Sequence, residues 1–473
     1  MAPDMGLPKI CASAVLLVLS ALGACAMDTD VAAVYEHNVL LSEDTEVPVS
    51  PEEALMLMEK NIAILEAAMK KAARQMGNNI ALSWNIPDPQ VDWIPCAHPG
   101  RFDPSSMLER LSCLVRSSSI YVVANMGDRK LCNSGDPSCP SDGHYQYNTN
   151  IFFYSERKLV AHYHKVRKFY NVQEFSYLKL TCRFVTFNTS FGYFGIFPCA
   201  DMLYHDPAVV MASRFQINTI LFLTAWVNTL PLLSAAQFYL VQALGMGVNF
   251  LSANTHNSTL DMTGSGIYAP DSPRAYYYNT EMDNGHLLVT ELSSHPHLSS
   301  DYPVAVNWTL YASQIKQLPS NKHSFSGVIY HDLFSFMELT ESGGNQAICQ
   351  QDLCYEIYVL GAFDRLHVDI KCGYTICICL TCQSAIFPCS TCGQPVETVQ
   401  TKFEMFSLSG IFGISYIFPE VLYSGVQLAP GEFKVLADGR LINQNTTSKP
   451  VLTVTLYGRW YEKDPPSTDQ ASA

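Results

Sequence analysis

Apolar residues near the start of the chain recur with the spacing of an amphipathic helix. Ser50, Pro51 and Glu53 form a capping box with proline at the first helical position. After them, apolar side chains return in alternating steps of three and four residues, and Gly77 is suited to end the helix. These apolar positions are Leu55, Met58, Ile62, Leu65, Met69, Ala72 and Met76. The pattern predicts one long helix that begins at Pro51.

Short runs that are apolar almost throughout follow this helix, and helical patterns separate them. The strand-like runs are 120–125, 150–155, 158–164, 184–189, 191–199, 219–226 and 248–254. The helical patterns are 106–115, 207–215 and 234–245. Strands without a polar face need cover on both sides, and helices between them supply it. This region therefore predicts an α/β sandwich with substantial antiparallel pairing.

The pattern changes after about residue 315, where apolar runs alternate with turn residues and cysteines. The runs are 324–336, 354–363, 404–413 and 450–461. They predict a smaller, mainly β domain that disulfides staple together. The cysteines of this part cluster at Cys372, Cys377, Cys379, Cys382, Cys389 and Cys392. We place the first domain at residues 27–312 and the second at 313–473.

The first 26 residues have the order of a signal peptide. Lys9 precedes the apolar stretch 10–26, which ends in small residues before the chain turns polar. The stretch is too short for a membrane span, and the polar C-terminus has no hydrophobic tail for a lipid anchor. We expect cleavage of residues 1–26 and a secreted, extracellular protein. Four sequons are predicted glycosylation sites, at Asn188, Asn257, Asn307 and Asn445.

Charge and cysteine content narrow the classes of partner. The formal net charge of −14 and a pI near 5.3 exclude nucleic acid, because phosphate binding requires a basic surface. Of the 16 cysteines, Cys11 and Cys25 lie in the predicted leader. Most of the others should pair in an oxidising compartment. The Cys-x-x-Cys at 389–392 also fits a zinc site, but secretion favours disulfides there.

Cys199 is the candidate nucleophile. It ends the apolar run 191–199 and a helical or turn segment follows it, which is where an α/β fold places reactive groups. A buried apolar role or half of a disulfide is the alternative for such a cysteine. If Cys199 is a free thiol, an odd number of cysteines remains, and Cys182 is the candidate for a second unpaired one.

Several stretches resemble one known family over nearly the whole mature chain. They are 32–39, 86–96, 110–128, 142–153, 159–165, 185–199, 203–209, 223–231 and 246–270, and the resemblance continues through FEMFSLSGIFG, LAPGEF and VLTVTLYGRWYEKD. The chain is similar to the vanins (pantetheinases), in the biotinidase and vanin branch of the carbon-nitrogen hydrolases, or nitrilase superfamily. The resemblance implies a nitrilase-like αββα sandwich followed by a disulfide-stapled, mainly β C-terminal domain.

The resemblance also implies a chemistry, which is amide hydrolysis through a cysteine thioester with a Glu-Lys-Cys triad. Vanins split pantetheine into pantothenate and cysteamine. Lys165, in the YHK sequence, matches the family's lysine, and Cys199 matches its nucleophile. An ammonium group near the thiol favours the thiolate and stabilises the oxyanion of the tetrahedral intermediate. This chemistry implies no metal and no organic cofactor.

The third member of the triad is not found. In the family, the first helix leads into a strand that ends in a Pro-Glu-Asp motif with the general base. Here only NNIALSW, at 78–84, separates Gly77 from the motif that begins at Asn85, and it contains no acid. We therefore expect the first domain to lack a segment near 77–86. Glu174 is the candidate supporting acid, and Asp201 is expected to orient the helix start after Cys199.

Three functions remain open. The first is a vanin-type pantetheine hydrolase in which a splice form or an assembly error removed one segment. The second is a catalytically inactive binding protein that keeps the pocket, and the third is a biotinidase-like amidase. Trp226 and Tyr268 are predicted to line the substrate pocket, although both are equally suited to a core. The sequence leaves the disulfide pairing and the oligomeric state open.

Overall fold

A computed structural model describes residues 16–20, 29–40, 51–73, 86–166, 184–296, 322–338, 357–382 and 397–463, apart from short gaps within these ranges. The chain forms two compact units. The first contains Met1–Trp226, Val248–Tyr268 and Arg274–Leu298, and the second contains Val227–Gly247, Ala269–Pro273 and Ser299–Ala473. The second unit thus includes residues 227–247, which the sequence pattern assigns to the first domain. The boundary at 312/313 stays a prediction.

In the described part of the first unit, strands are accompanied by three α-helices. The helices are α1 (Pro51–Ala73), α2 (Ser106–Ser118) and α3 (Val210–Ser213). The strands are β1 (Leu16–Ser20), β2 (Thr29–Asn38), β3 (Tyr121–Leu131), β4 (His144–Phe153), β5 (Leu159–His164), β6 (Thr186–Thr189), β7 (Gly192–Pro198), β8 (Thr219–Thr224), β9 (Asn249–His256), β10 (Ser265–Tyr268), β11 (Pro273–Tyr277) and β12 (His286–Ser293). Each strand-like run of the sequence between 120 and 254 corresponds to one of these strands.

The strands form two layers that face each other. One path of paired strands runs β5-β4-β3-β1-β2-β9-β8-β7-β6, and it passes between the layers where the ends of β2 and β9 pair in parallel. Aromatic side chains fill the space between the layers, as where Phe152 of β4 stacks on Phe187 of β6 with ring centroids 4.1 Å apart. The apolar strands are buried because they lie between this core and the helices.

Helices cover the outer faces of the two layers. Leu65 of α1 and Leu111 of α2 pack in one core cluster with Val122 of β3 and Ile151 of β4. On the other layer, a Cβ at Gly195 of β7 would come 2.9 Å from the sulfur of Met211 in α3, so glycine permits this close approach. The predicted αββα sandwich is confirmed.

Strand β1 comes from the stretch that the sequence predicts to be a cleaved leader. It lies between β2 and β3 and pairs antiparallel with both. Leu16 is opposite Tyr35 on one side and Ala124 on the other. Since β2 and β3 are each antiparallel to β1, they run in the same direction. The folded sheet therefore uses residues that the sequence pattern assigns to a removable peptide.

The second unit is mainly β, as predicted. Its helix is α4 (Ala235–Met246), and its strands are β13 (Lys322–Ser326), β14 (His331–Glu338), β15 (Ile357–Leu366), β16 (Gly373–Cys382), β17 (Ser407–Leu408), β18 (Ile417–Tyr423), β19 (Gln427–Leu428), β20 (Phe433–Val435), β21 (Leu441–Asn443) and β22 (Val451–Arg459). A seven-stranded sheet has the order β13-β14-β15-β16-β22-β18-β19, and β17-β21-β20 form a second sheet. Phe238 of α4 meets Tyr457 of β22 edge to face at 5.8 Å.

Among the residues described in the first unit, Cys96–Cys113 and Cys132–Cys139 form disulfides. Within the part of the chain that the structure describes, Cys199 is the free cysteine. The side chains of the clustered C-terminal cysteines and of Cys182 lie outside the described residues, so disulfide staples in the second domain stay a prediction. No helix among the described residues is long and apolar enough to cross a membrane.

Candidate active site

Cys199 stands where strand β7 ends. The strand runs from Gly192 to Pro198, and Cys199 begins a single turn of 3-10 helix that ends at Leu203. Its φ of +48° lies in the left-handed region, which non-glycine residues rarely adopt. Such a turn reverses the chain sharply and holds the thiol at the carboxyl edge of the sheet. The thiol is half-buried and unpaired, as a nucleophile requires.

Lys165 follows the last residue of β5. Burial alternates along this strand, and Leu159, Ala161, Tyr163 and Lys165 are the buried positions. Because side chains alternate between the faces of a strand, these four lie on one face, towards the second layer. The Lys165 side chain is buried, with 9% exposure, and its backbone nitrogen donates to the Asn148 carbonyl at 2.8 Å. A solvated surface lysine would not have this environment.

Asp201 connects the segments of Cys199 and Lys165. One of its carboxylate oxygens, Oδ2, accepts a hydrogen bond from the Tyr163 hydroxyl at 2.8 Å and another from the Val166 backbone nitrogen at 3.2 Å. Asp201 is fully buried. It lies two residues after Cys199, and its two donors flank Lys165. The structure gives the Asp201 side chain partners on the opposite layer, and its expected role at the helix start stays a prediction.

Three asparagines lie on the same face as Lys165. The Asn125 amide nitrogen donates to the side-chain oxygens of Asn148, at 2.6 Å, and Asn150, at 2.8 Å. Asn150 is opposite Tyr163 in the pairing of β4 and β5, which puts the group beside the lysine segment. Sequence reasoning missed these residues. Their signal was polar side chains at alternate positions of strands that are otherwise apolar.

Trp226 lies at the same sheet edge as Cys199. It follows β8, which is the parallel neighbour of β7. The Asn254 side chain fixes this backbone, because its oxygen accepts from the Trp226 nitrogen at 2.7 Å and its nitrogen donates to the Trp226 carbonyl at 3.0 Å. Trp226 is 5% exposed. Its position fits the predicted pocket wall, and its contact with substrate stays a prediction.

Tyr268 lies elsewhere in the first unit. It is on β10, opposite Phe250 near the start of β9, whereas Cys199 lies at the carboxyl end of β7. The side chain has 0% exposure, and burial raises its pKa well above the ordinary tyrosine value. The ring packs on Gly266, where a Cβ would come 2.3 Å from the ring. This position favours a packing role over the predicted substrate contact.

A second polar cluster occupies the outer face of β5. The Asp128 carboxylate accepts from His164 Nε2 at 2.9 Å and from the Ile86 nitrogen at 2.9 Å. Burial lowers the pKa of the adjacent His162 to about 4, and the nearby His164 adds to that effect. Among the described residues, no group of three His, Cys, Asp or Glu side chains has the geometry to hold a metal.

The remaining predicted residues are placed as follows. Asn188 and Asn445 are exposed and Asn257 is half-buried. The Asn257 side-chain oxygen caps a short turn by accepting from the Thr259 nitrogen at 3.1 Å. Glu174 and Asn307 lie outside the described residues, so their predicted roles stay predictions, as does glycosylation at all four sequons.

Comparisons with known proteins agree with this geometry. A family model described as carbon-nitrogen hydrolase matches residues 49–271, and one described as the vanin C-terminal domain matches residues 324–464. An αββα sandwich with a strand-end cysteine and a buried lysine thus belongs to an amidohydrolase of the carbon-nitrogen hydrolase class. A cow pantetheinase is 50% identical over 93% of this chain and 91% of its own length. The chain belongs to the vanin family.

Two further comparisons are with a biotinidase and with a solved amidase. A cow biotinidase is 31% identical over 92% of both chains. A solved amidase from Nesterenkonia sp. covers 57% of this chain and 95% of its own, at 17% identity and a TM-score of 0.37. The vanin relatives are thus considerably more similar in sequence than the biotinidase.

Proposed function

We propose that this protein is a secreted amidohydrolase that cleaves pantetheine to pantothenate and cysteamine, with a low rate in this form. The observation that carries the proposal is the pairing of segments in the first unit, where Asp201 joins the turn of Cys199 to the strand end of Lys165. The identity to pantetheinases, 50% for the cow protein against 31% for cow biotinidase, supports pantetheine over biotin amides.

The reaction follows from the two side chains. The Cys199 thiolate attacks the amide carbonyl carbon, and the Lys165 ammonium stabilises the oxyanion that forms. The carbon–nitrogen bond then breaks, the amine takes up a proton and leaves as cysteamine, and the pantothenoyl group stays on sulfur as a thioester. Water attacks the thioester, releases pantothenate and restores the thiol. Both proton transfers require a general acid and base.

The low rate follows from the missing general base. No acidic residue lies between Gly77 and Ile86, where the family carries its base. The alignment with a human pantetheine hydrolase runs over 487 positions, whereas 96% of this chain is about 454 residues, so about 33 positions have no counterpart here. This difference fits a missing segment. Loss of a general acid and base costs about a hundredfold to ten-thousandfold in rate.

Strand β1 favours a second candidate, an inactive binding protein that retains the pocket. Because β1 runs opposite to β2 and β3, its amino end at Leu16 lies at the sheet edge where β2 ends, next to Glu36 and His37 in the last residues of that strand. A strand in this direction brings no carboxyl-end residue to the edge of Cys199. This candidate predicts ligand binding without turnover.

Secretion is part of the proposal and rests on separate features. The Cys96–Cys113 and Cys132–Cys139 disulfides are typical of oxidising compartments. Asn188 and Asn445 are exposed, as glycosylation requires. Expression in secreting animal cells should give a protein in the medium whose mass falls on treatment with an N-glycosidase. A chain that stays inside the cells with an unchanged mass would contradict secretion.

The assay of function is pantothenate release by the purified full chain, with Cys199→Ala as the control and biocytin as the competing substrate. We expect slow release from pantetheine that the control lacks, and a pantothenoyl adduct on Cys199 by mass spectrometry. An adduct or saturable binding without release would favour the binding protein. Faster cleavage of biocytin would favour the biotinidase-like function, and release by Cys199→Ala would overturn the nucleophile.

A further inference from the structure

We infer that Asp201 is a positioning residue that holds the Lys165 ammonium beside the Cys199 thiol. The inference rests on the proposed function, because it assigns the geometry of that same pair. Asp201 is in the turn that Cys199 begins, so its backbone moves with the nucleophile. Its carboxylate reaches across to the other layer of the sandwich. No other contact described above ties these two catalytic segments directly.

The geometry of the contact explains how the Asp201 carboxylate alone can fix the Lys165 segment. A single oxygen, Oδ2, accepts from the Tyr163 hydroxyl at 2.8 Å and from the Val166 nitrogen at 3.2 Å. Tyr163 comes two residues before Lys165 and Val166 one residue after it. The carboxylate thus holds the backbone on both sides of the lysine. A bond to one side alone would leave the segment free to swing about that point.

The surroundings make this contact rigid. Asp201 is 0% exposed and Tyr163 is 2% exposed. A buried carboxylate that loses a donor pays a large desolvation cost, so the arrangement resists opening. Lys165 has its own anchor on the first layer through the bond from its nitrogen to the Asn148 carbonyl at 2.8 Å. Asp201 adds the link to the second layer, where the thiol stands.

A pair of alkylating reagents tests this role without amide turnover. Iodoacetamide is neutral and iodoacetate is an anion, and both transfer a carboxymethyl-type group to the thiolate as iodide leaves. The measured quantity is the rate of Cys199 alkylation by iodoacetate divided by the rate by iodoacetamide. Because both reagents react with the thiolate, the fraction of thiolate cancels in this ratio. A cation beside the sulfur attracts iodoacetate and raises the ratio by about fivefold, the effect of one charge at about 4 Å in water. The ratio therefore reports where the ammonium stands.

The variants are Asp201→Asn and Tyr163→Phe, with Lys165→Met as the reference for loss of the cation. Removing the Asp201 charge by itself would raise the iodoacetate ratio, because it removes a repulsive anion. Displacing the Lys165 ammonium from the thiol would lower the ratio, because it removes an attractive cation. We expect a fall towards the Lys165→Met value in both variants, measured on the Cys199 peptide by mass spectrometry. Tyr163→Phe changes no charge and keeps the carboxylate, so it serves if Asp201→Asn does not fold.

The second unit offers a matched control. There the Glu432 Oε2 oxygen also accepts from a tyrosine hydroxyl, Tyr423 at 2.7 Å, and from a backbone nitrogen, Ser448 at 3.0 Å. Glu432→Gln and Tyr423→Phe remove the same kinds of bond without touching either catalytic segment. They should leave the ratio unchanged even where they lower the unfolding temperature.

The outcomes distinguish a failure of the positioning role of Asp201 from a failure of the proposed function. If Lys165→Met lowers the ratio about fivefold but Tyr163→Phe and Asp201→Asn leave it unchanged or raise it, Asp201 does not position the lysine, and the proposed function stands. If Lys165→Met also leaves the ratio unchanged, no ammonium stands beside the thiol, and both inferences fail together.

Discussion

Two regions of the first unit lie at the same edge of the sheet, and the chain builds them in different ways. The nucleophile region, Tyr163–Val166 with Cys199–Leu203, comes from segments that fold where the sequence predicts, and buried hydrogen bonds tie them together. The β1 slot, the space between β2 and β3, is filled by Leu16–Ser20 from the predicted leader. In the proposed function the nucleophile region carries the chemistry, while the β1 slot is closed without contributing to it.

The direction of β1 explains the difference. A strand parallel to β2 in the β1 slot would bring its last residues to the edge where Cys199 stands, since β2, β9, β8 and β7 are successive parallel neighbours. Because β1 is antiparallel, its first residue, Leu16, lies at this edge. By filling the slot, β1 thus provides backbone hydrogen-bond partners for β2 and β3, which would lack them if the slot were open. Closing a sheet and completing a catalytic set are separate requirements, and this chain meets the first.

The largest expected effect comes from deleting residues 1–26. Strand β1 pairs at five positions with β2 and at four with β3. At about 0.5–1.5 kcal/mol for each of these nine paired positions, the deletion should cost about 5–14 kcal/mol of unfolding free energy. Urea unfolding of the full chain and the deletion measures this. Deleting residues 1–14 is the control, because it leaves β1 in place.

Equal stability of the two deletions would mean that β1 does not support the sheet. This result would also remove the conflict between β1 and a cleaved leader, because processing after residue 26 deletes the same residues. A large loss in the longer deletion alone would mean that leader cleavage opens the β1 slot.

The next effect concerns the end of β2 beside the slot. Glu36 is fully buried, and its carboxylate accepts from His256 at 2.9 Å, from Gly264 at 3.0 Å and from the hydroxyl of Ser265 at 2.6 Å. Glu36→Ala should cost about 3–5 kcal/mol of unfolding free energy, because it leaves these groups buried without their partner. The exposed Glu291→Ala is the control and should change stability by less than about 0.5 kcal/mol.

A loss in Glu36→Ala comparable to that of the control would show that the end of β2 is not anchored independently of β1. The comparison of the two regions would then change, since the β1 slot alone would hold β2 in place.

A smaller, pH-dependent effect compares one histidine from each region. Burial lowers the pKa of His37, at the end of β2, to about 4, and it lowers the pKa of His162, on β5, to about 4. In the unfolded chain both titrate near 6.5. The unfolded chain therefore binds more protons between pH 6.5 and 4, and stability falls as the pH drops through this range.

Each of His37→Gln and His162→Gln should reduce the loss of unfolding free energy between pH 7 and pH 4.5 by about 2 kcal/mol. Urea midpoints at the two pH values measure this. If only His162→Gln has the effect, then His37 is hydrated, and the β1 slot is less tightly closed than the nucleophile region.

The strand runs and the site of Cys199 follow from local sequence. The run 191–199 predicts both the strand and its end, and burial alternates along 159–165 because β5 has one face on the core. Local pattern cannot predict β1, because the apolar stretch 10–26 fits a leader equally well. The pairing of β1 with β3, more than a hundred positions away, also depends on the open slot between β2 and β3. The Asp201–Tyr163 bond likewise joins different layers.

The central claim is that the Cys199 and Lys165 pair is intact and that the missing segment limits turnover. The direct test replaces residues 77–85 with the corresponding, longer segment of the cow pantetheinase and measures pantothenate release, with Cys199→Ala in the same chimaera as the control. We predict an increase of at least about a hundredfold over the original chain, abolished by the control. Equal rates for a folded chimaera and the original chain would contradict the claim.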